Sequence, residues 1–402
     1  MLNDYLEKEL NALEEAGLNR KMKITSSTQG SRIIVDSKEV LNFCSNNYLG
    51  LADDFRLCKA AIDEIENSGF GSGASRLICG NMSAHRRLEE RIARFKGAEN
   101  CVVFSTGYMA NVGIISSLFD REDIIYSDRL NHASIVDGIL LSRAKFKRYK
   151  HCDMVSLEEM LKEGGAFKKK CIVTDSIFSM DGDIAPLDKI CELAKKYECS
   201  VMIDEAHAFG VMGPNGEGLA KHFGVEQQID IQMGTLSKAV GSFGAYCCGS
   251  GKLIALLINK ARSFIYTTAL PPMIAAASIK AIDIIEENRK LRQLLWDNAK
   301  YVNEALKGIG LDTMNSQTPI IPVLLKSSKL ALEFSERLLA SGIYISAIRP
   351  PTVEKNMARL RLTVMATHRK EDLDHLIQQI KIIAAKLLGS GQVERDNKAC
   401  PA

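Results

Sequence analysis

The chain has 402 residues, of which 46% are hydrophobic and 25% charged, so it is long enough for two or three globular domains and is not a disordered protein. Its formal net charge of +3 is small for this length, and the basic run 168–170 has no aromatic residue within it, which argues against nucleic acid as a partner. No stretch is long and apolar enough to span a membrane, and residues 1–10 lack the features of a secretory signal, so we expect a cytoplasmic protein without a membrane partner.

The number and spacing of the cysteines bear on whether the chain forms disulfides or binds a metal. The eleven cysteines are odd in number, include no pair with C-x-x-C spacing, and in several cases lie in apolar segments such as 171–174. This pattern is typical of reduced thiols in a core and favours neither a disulfide framework nor a zinc site. We therefore expect no metal site.

An N-terminal arm is predicted over residues 1–57. Within 5–16, the apolar side chains have the spacing of one helix face: Tyr5, Leu6, Leu10 and Leu13. After a polar stretch, residues 31–43 have the alternating pattern of a β-hairpin. These elements predict an arm rather than a domain of its own.

A large domain is predicted over residues 58–285, where short β-rich runs alternate with amphipathic helical patterns. The strands are predicted at 101–104, 124–127, 171–175, 201–204, 229–233 and 245–248, and the helices at 108–118, 132–144 and 188–197. This alternation predicts an α/β domain with a mostly parallel sheet covered on both faces.

A smaller α+β domain is predicted over residues 286–390. Its helices are predicted at 289–306, 328–341 and 371–388, and its strands at 320–325, 343–348 and 358–364. Residues 391–402 have the composition of a frayed tail.

Two residues in the large domain suggest a specific chemistry. Lys238 lies five residues after the predicted end of a strand at Met233, and Asp204 ends another strand. An amine and a carboxylate at the carboxyl edge of one sheet are what a pyridoxal phosphate enzyme uses for covalent attachment and for its ring nitrogen. Alone, the lysine would be a surface charge and the aspartate a turn residue, so the hypothesis depends on the pair. His207, three residues after Asp204, could reach the same ligand.

A phosphate group needs backbone amides and hydroxyls at a helix start. Segment 105–111 follows one strand and opens a helix, so the amides of Gly107 and Tyr108 could face an anion. Many such helix starts are only caps. Thr235 and Ser237 add hydroxyl groups close to Lys238, as the second half of a phosphate site.

His132 follows a predicted strand and begins a helix at the same sheet edge. A histidine there is more often structural than catalytic, but its position makes ring stacking on a cofactor plausible. Segment 70–76 is rich in glycine, as a dinucleotide-binding loop is. It follows a helical pattern rather than a strand, and its glycines have G-x-G-x-G spacing, so we interpret it as a turn near the site.

Arginines in the smaller domain are candidates for binding a carboxylate. Arg349 lies in 347–353, and Arg359 and Arg361 lie on one face of a predicted strand. We expect one of the latter two to contact solvent and the other to reach the cleft as a bidentate donor.

Together these segments resemble the α-oxoamine synthase family, the fold-type I pyridoxal phosphate enzymes that condense an amino acid with an acyl thioester and release carbon dioxide. The resemblance extends from about residue 5 to 388. The matching segments are 42–51, 71–76, 131–134, 178–183, 204–207, 234–238 and the arginine segment 347–353.

The resemblance implies roles for individual residues. Lys238 would form the Schiff base with pyridoxal 5'-phosphate, Asp204 would pair with the ring nitrogen, His132 would stack on the ring and His207 would contact the ring oxygen. The remaining cofactor-binding residues implied are Gly107, Tyr108, Ser179, Thr235 and Thr267.

Thr267 resembles the residue that reaches the phosphate of the neighbouring subunit's cofactor, so the family pattern implies a homodimer with shared active sites. Asn46 and Arg361 match positions that hold the amino-acid carboxylate, and Arg20 matches an arginine near the acyl entrance. Ser75 and Arg349 are also placed in the substrate-binding set.

Within the family, segments 236–244, 266–272 and 347–353 most resemble members that act in biotin biosynthesis, which implies L-alanine and a pimeloyl thioester of coenzyme A or acyl carrier protein as substrates. Segments 76–80 and 128–138 fit equally well the transfer of an acetyl group to glycine, so the acyl donor stays open. An aminotransferase on the same fold and a noncatalytic cofactor-binding protein are further alternatives. Both leave the arginines and His132 unexplained.

Overall fold

The computed structural model of the chain describes residues 1–15, 18–20 and 22–389. The predicted tail, 391–402, lies outside these residues. The chain divides into two compact units. The large unit comprises residues 49–179 and 183–292, and the small unit comprises residues 1–48, 180–182 and the chain from 293 onward.

Helices and strands follow one another along the chain as follows. The helices are α1 (Leu2–Glu15), α2 (Phe55–Ser68), α3 (Ser83–Lys96), α4 (Gly107–Leu118), α5 (Ala133–Ser142), α6 (Met154–Lys162), α7 (Leu187–Lys196), α8 (Leu219–Phe223), α9 (Gly251–Lys260), α10 (Arg262–Ile265), α11 (Pro272–Glu287), α12 (Arg289–Gly308), α13 (Ser328–Ala340) and α14 (Lys370–Leu388). The strands are β1 (Arg32–Val35), β2 (Lys38–Asn42), β3 (Asn100–Phe104), β4 (Ile124–Asp128), β5 (Lys145–Tyr149), β6 (Lys170–Asp175), β7 (Ser200–Asp204), β8 (Ile231–Thr235), β9 (Ala245–Gly249), β10 (Ile320–Lys326), β11 (Ile343–Tyr344), β12 (Ser346–Ile348) and β13 (Ala358–Thr363).

The large unit is built on a seven-stranded sheet with the strand order β3-β9-β8-β7-β6-β4-β5. Strands β8, β7, β6, β4 and β5 are parallel, whereas β9 is antiparallel to both of its neighbours. All residues of β4 and β8 are buried, as expected for strands covered on both faces. The mostly parallel α/β sheet predicted from the sequence is therefore confirmed.

A hydrophobic core lies between this sheet and helices α4, α5, α9 and α10. Val102, Val173 and Met202 contribute from the strands, and Ile114 and Ile139 contribute from α4 and α5. All five side chains are almost completely buried, so the position of both helices relative to the strand ends is fixed by close packing.

Gly138 allows α4 and α5 to approach closely. A Cβ atom at this position would lie 3.0 Å from the carbonyl oxygen of Asn111 and 3.2 Å from the Cβ atom of Ile115. These distances are shorter than ordinary van der Waals contacts, so only glycine fits without moving one helix.

The small unit contains two three-stranded sheets. In one, β1 and β2 form the predicted antiparallel hairpin and β11 pairs with β2 in parallel. In the other, β13 lies between β10 and β12 and is antiparallel to both. Helix α13 buries Ala331, Phe334 and Leu338, and α14 buries Leu373 and Leu376.

Most predicted elements occur within a few residues of their expected positions, but some differ. The strand expected at 229–233 runs from Ile231 to Thr235, and the single strand expected at 343–348 is divided into β11 and β12. Strand β5 was not predicted. Its sequence, Lys-Phe-Lys-Arg-Tyr, lies at an edge of the sheet with Lys145 and Arg148 exposed, so it lacks the apolar run of a central strand.

Among the described residues, no helix has the length and hydropathy needed to cross a bilayer. The cysteines in this part of the chain are all free thiols.

Candidate active site

Four parallel strands of the large unit end in polar residues at the same edge of the sheet. Strand β4 ends at Asp128, β6 at Asp175, β7 at Asp204 and β8 at Thr235. Cα register pairs Asp175 with Asp204 directly. Because parallel strands present their carboxyl ends on one side, these residues define the candidate site.

Lys238 and His207 lie close together in space although 31 residues separate them. The Nζ atom of Lys238 is 2.7 Å from Nε2 of His207. Lys238 is partly buried, three residues beyond the end of β8, and His207 is 7% exposed in the turn after β7. The structure therefore brings together the predicted amine and one of the two predicted histidines.

Asp204 is 4% exposed, and each of its carboxylate oxygens accepts a hydrogen bond. Oδ2 accepts from Nδ2 of Asn111 at 2.8 Å, and Oδ1 accepts from the backbone amide of Ala206 at 2.8 Å. Both oxygens of this buried carboxyl group are therefore held in place as hydrogen-bond acceptors.

His132 is the N-cap residue of α5. Its Nδ1 atom accepts from the backbone amide of Ser134 at 3.3 Å and lies 2.7 Å from the hydroxyl of the same residue. Partial burial and the nearby charge of Lys238 lower the pKa of His132 and outweigh the opposing effect of Asp204. The residue as a whole is exposed, so one face of a neutral imidazole is available to a planar ligand.

Asp175 is a buried carboxyl group in this site that the sequence analysis did not single out. Its Oδ2 atom accepts from the backbone amide of His132 at 2.8 Å, and its own amide donates to Oδ1 of Asn131 at 2.8 Å. Burial and the adjacent Asp204 raise the pKa of Asp175 well above its usual range. Asp175 therefore fixes the backbone at His132.

The start of α4 lies beside the end of β8. Thr106 caps the helix by accepting from the amide of Met109 at 3.1 Å, and Gly107 and Tyr108 are its first two residues. First-turn amides have no acceptor within a helix, so they are available to an anion. A Cβ atom on Gly107 would lie 3.9 Å from Cβ of Thr235, so the two predicted halves of the phosphate site are adjacent.

Thr235 and Ser237 are linked to each other rather than isolated. The Thr235 hydroxyl donates to the carbonyl of Gly244 at 2.8 Å and lies 3.1 Å from the Ser237 hydroxyl. The Tyr108 hydroxyl donates to Asp137, so this phenol is directed away from an anion and only the backbone amide of Tyr108 suits a phosphate.

Three other predicted residues occupy loops of the large unit. Thr267 and Ser105 line the same pocket, together with the guanidinium-bearing side chain of Arg76. Ser179 is partly buried in the loop after β6. The carbonyl of Ser75 accepts from the amides of Ile78 and Gly80, which gives this residue a structural role in its turn.

The remaining predicted residues lie in the small unit. Nη2 of Arg361 donates to Oδ1 of Asn46 at 3.0 Å, and Arg361 is 6% exposed. Arg20 is exposed and donates to the Thr352 hydroxyl at 3.3 Å, while Arg349 is partly buried in the segment that contains this threonine.

The expectation that one of the two strand arginines contacts solvent is wrong. Arg359 is 3% exposed, and its Nη1 donates to Asp181 at 2.7 Å and to the carbonyl of Met180 at 3.1 Å. Both arginines are therefore buried. Asp181 neutralises the charge of Arg359, which makes the burial of this side chain possible.

A separate charged group lies next to Asp128. Nδ1 of His151 lies 3.0 Å from Asp128 and Nε2 lies 2.7 Å from Asp183. Burial lowers the pKa of His151, but the hydrogen bonds to Asp128 and Asp183 outweigh it and raise the pKa to about 12. Asp128, His151 and Cys152 have ligand atoms within 4.8 Å of one another. An imidazolium that donates from both nitrogens offers no lone pair to a metal, so we assign the group to structure.

The family of the chain follows from its sequence. The family model described as "Aminotransferase class I and II" matches residues 38–380. The chain belongs to the class I and II aminotransferase family.

Relatives within this family agree with the resemblance to α-oxoamine synthases. The chain is 49% identical over 381 residues to a protein of Geobacter sulfurreducens named 8-amino-7-oxononanoate synthase, with 94% of this chain and 97% of the relative covered. The expected resemblance is thereby confirmed.

Two solved structures of the family show the same fold. A serine palmitoyltransferase variant from S. paucimobilis with a bound PLP–myriocin aldimine has a TM-score of 0.91 and 29% identity, with 96% of this chain and 98% of that chain covered. An 8-amino-7-oxononanoate synthase from Francisella tularensis has a TM-score of 0.76 and 31% identity, with 86% and 98% covered. The expected fold-type I architecture is confirmed.

The residues of the large unit fit pyridoxal phosphate, as expected for this member of the family. Asp204 presents a hydrogen-bonded carboxylate, Lys238 an amine and His132 an exposed ring. Gly107 lies so close to Met233 that a Cβ atom there would be 3.3 Å from its methyl group, which keeps the helix start narrow and free of side chains.

Three residues of this family member's site were not predicted from the sequence: Asn111, Ser134 and Asp175. Asp175 ends a strand in the same way as Asp204, which is a signal that could have identified it. Asn111 and Ser134 lie on helices and resemble ordinary polar residues in the sequence. Their importance depends on Asp204 and His132, with Asn111 and Asp204 93 residues apart, and only the fold brings these groups together.

Proposed function

We propose that the enzyme condenses L-alanine with a pimeloyl thioester, releases carbon dioxide and forms 8-amino-7-oxononanoate, a step of biotin biosynthesis. The observation that supports this most strongly is the match to relatives named 8-amino-7-oxononanoate synthase, at 49% identity over 94% of the chain. The structure adds an amine, a buried carboxylate and two histidines at one sheet edge. A transferase of this kind uses pyridoxal 5'-phosphate.

When bound, pyridoxal phosphate supplies a conjugated ring that accepts electron density from the amino-acid Cα atom. Asp204 is proposed to hold the proton on the ring nitrogen, because the donors from Asn111 and Ala206 orient its carboxyl oxygens as acceptors. His132 is proposed to lie against the ring face, with its imidazole neutral.

Lys238 is proposed both to attach the cofactor and to remove the Cα proton of alanine. A general base has to be within hydrogen-bond reach of the proton it takes, and Nζ of Lys238 is placed at the sheet edge, 2.7 Å from Nε2 of His207. His207 is proposed to orient this amine and to contact the ring oxygen.

The phosphate is proposed to bind the amides of Gly107 and Tyr108, with hydroxyls from Thr235 and Ser179 close by. The positive end of the α4 dipole favours an anion there. In the small unit, Arg361 and Asn46 are proposed to hold the substrate carboxylate, since a guanidinium is planar and matches a carboxylate with paired N–H donors, and Asn46 accepts from Arg361 at 3.0 Å. Arg20, Ser75 and Arg349 stay proposals for binding the acyl substrate.

A homodimer with shared active sites is part of the proposal. Large apolar side chains are exposed on two neighbouring segments of the large unit, with Phe70 73%, Ile78 81% and Tyr266 72% exposed. The amide of Ala269 donates to the carbonyl of Ala74, so these segments lie side by side. An apolar surface of this kind is typical of a subunit interface, and Thr267 lies next to it.

We also propose that the enzyme works in the cytoplasm. Biosynthetic relatives and the free thiols of the described residues agree with a reducing compartment.

The proposal is tested with purified protein loaded with pyridoxal phosphate. Alanine, glycine and serine are each combined with pimeloyl and acetyl thioesters, and thiol release, carbon dioxide and product mass are measured. Alanine with the pimeloyl donor is expected to be the preferred pair. Faster reaction of glycine with the acetyl donor would support the alternative acetyltransferase, and amino-group transfer without thiol release would indicate an aminotransferase.

A further inference from the structure

Asp204 and His132 are joined by an unbroken series of hydrogen bonds through two side chains. Oδ2 of Asp204 is 2.8 Å from Nδ2 of Asn111, which is 2.9 Å from Oγ of Ser134, which is 2.7 Å from Nδ1 of His132. Asn111 and Ser134 are each 1% exposed, so the series is shielded from solvent along its length.

The direction of each bond follows from one donor that cannot be reversed. The backbone amide of Ser134 donates to Nδ1 of His132 at 3.3 Å, which favours a ring that carries its hydrogen on Nε2. The Ser134 hydroxyl must then also donate to Nδ1. With its hydrogen used in this way, the same hydroxyl oxygen accepts from Asn111.

The side-chain amide of Asn111 completes the series of hydrogen bonds. Its Nδ2 atom has two hydrogens, one for Ser134 and one for Asp204, so Oδ2 of Asp204 is the acceptor of this bond. The opposite amide orientation would place two oxygens against each other. This orientation leaves Oδ1 of Asn111 buried without a hydrogen-bond partner among the described residues, which indicates that the carboxylate contact determines it.

We infer that Asn111 and Ser134 are positioning residues that determine which atoms of Asp204 and His132 carry hydrogen. The side-chain amide of Asn111 keeps Asp204 as a hydrogen-bond acceptor for a protonated ring nitrogen. The hydroxyl of Ser134 keeps His132 as the neutral Nε2–H tautomer. This inference deepens the proposed function and rests on it, because it concerns the groups proposed to contact the cofactor.

Other charges that face His132 do not by themselves select a tautomer. Asp204 and Asp137 favour the charged ring, whereas burial and Lys238 oppose it, and Asp175 accepts from the backbone amide of His132 rather than from its ring. A choice between Nδ1–H and Nε2–H needs a directional contact, and the contacts made by Ser134 supply it.

Histidine ring ¹⁵N chemical shifts of the cofactor-loaded protein test the inference, with the His132 signals assigned by comparison with His132→Gln. We expect the neutral Nε2–H form in the unsubstituted protein near neutral pH. Ser134→Ala removes the shorter of the two contacts to Nδ1, at 2.7 Å, and leaves the 3.3 Å contact from the backbone amide, so we expect a measurable fraction of the Nδ1–H tautomer to appear. Ser142→Ala, a matched control, removes a buried hydroxyl on the same helix that bonds to the carbonyl of Ile139, and it is expected to leave the His132 signals unchanged.

Cofactor affinity provides the second measurement. Asn111→Leu keeps a similar volume but removes the donor to Asp204, and we expect pyridoxal phosphate to bind at least about tenfold more weakly, as for loss of a charge-assisted hydrogen bond. An Nδ1–H or doubly protonated His132 in the unsubstituted protein overturns the inference, and so does an affinity of Asn111→Leu within about twofold of the unsubstituted protein.

These measurements are independent of turnover. If the unsubstituted protein fails to condense alanine with a pimeloyl donor, the proposed function fails while the ring ¹⁵N shifts remain interpretable. If a variant does not fold, the tautomer of the unsubstituted protein still decides.

Discussion

The position of Lys238 explains its proposed chemical role more directly than that of any other residue in the site. Lys238 lies in the turn that follows β8, the strand next to the one that ends at Asp204. Its amine is within hydrogen-bond distance of His207. Attachment of the cofactor and removal of a proton both require a primary amine at this point, and no other lysine lies between β8 and β9.

Replacement of Lys238 by alanine is expected to lower kcat by about 100- to 10,000-fold, the range for loss of a general base. The variant should still bind pyridoxal phosphate noncovalently, since Asp204 and the α4 helix start remain. Steady-state kinetics, and borohydride reduction followed by peptide mass analysis, check both statements. Lys252→Ala, at an exposed position on α9, is the control. Near-normal condensation by Lys238→Ala would remove this lysine from the mechanism.

Individual residues were predictable to different degrees. Lys238, Asp204, His207 and His132 follow from strand ends and a family pattern. Arg359 was misjudged because strand periodicity gives a face, whereas its partner Asp181 is 178 residues away. Asn111 was missed for the same reason, because its partner Asp204 is 93 residues away in the sequence, and Ser134 was missed because its contact with Asn111 also joins distant segments. A hydrogen bond between remote residues has no signature in a single sequence.

At the scale of elements, helix α4 links secondary structure to ligand binding. Thr106 fixes its first turn by accepting from the amide of Met109, and that turn contains Gly107 and Tyr108. Loss of the cap leaves the first amides free to move, which weakens the helix and the proposed phosphate site together.

Thr106→Ala is expected to destabilise the protein by about 1 kcal/mol and to weaken binding of pyridoxal phosphate. Ser250→Ala removes an equivalent cap from α9, where Ser250 accepts from the amide of Leu253 at 3.2 Å. It should cost similar stability without changing affinity. Chemical denaturation and fluorescence titration measure the two effects. Equal loss of affinity in both variants would show that the α4 cap has no specific role.

Strands β4 and β5 end near a charged histidine whose effect depends on pH. Hydrogen bonds to Asp128 and Asp183 hold the pKa of His151 at about 12, far above the 6.5 of an unfolded histidine. A group with a raised pKa in the folded state contributes its full stability below pH 6.5, and this contribution declines as the pH rises towards 12.

His151→Gln should therefore destabilise the protein more at pH 6 than at pH 9. The upper limit of the change is about 1.4 kcal/mol per pH unit, and the true value is smaller because the side chain is 25% exposed and screened by solvent. Urea denaturation at both pH values provides the measurement. A destabilisation that is the same at both would mean that the ring is neutral in the folded state.

The strands were mostly predictable, whereas half of the helices in the described part of the chain were not predicted: α2, α3, α6, α8, α9, α10 and α11. Apolar periodicity identified the central strands because they are buried on both faces. It missed β5, whose charged residues are typical of an edge, and it gave no sign that β11 pairs with β2 from the opposite end of the chain. Strand pairing between distant segments depends on the whole fold rather than on local pattern.

At the scale of the whole molecule, the proposed dimer decides where the active site is complete. Thr267 lies beside the exposed apolar surface formed by Phe70, Ile78 and Tyr266. If Thr267 acts on the neighbouring subunit's cofactor, no single chain contains a full set of contacts. The predicted domain boundaries at residues 57, 285 and 390 stay predictions at this scale.

Mixing two inactive variants tests the shared site. Lys238→Ala and Thr267→Ala are each expected to have little activity, whereas subunit exchange should restore about one quarter of the normal value, because half of the dimers then contain one intact site. Sedimentation measures assembly and thiol release measures activity. No recovery, despite exchange confirmed by differently tagged chains, would place Thr267 in the site of its own subunit.

Gly138 gives the enzyme a weak point that a map of ligand contacts would not reveal. A methyl group there would press on the carbonyl of Asn111 and on Ile115, and would displace the helix that begins beside His132. Mutational scanning would then score position 138 as functionally intolerant although it lies inside a helix. Because the shortest contact is with a backbone carbonyl, no smaller side chain on α4 could make room for that methyl group, and the two helices themselves would have to move apart.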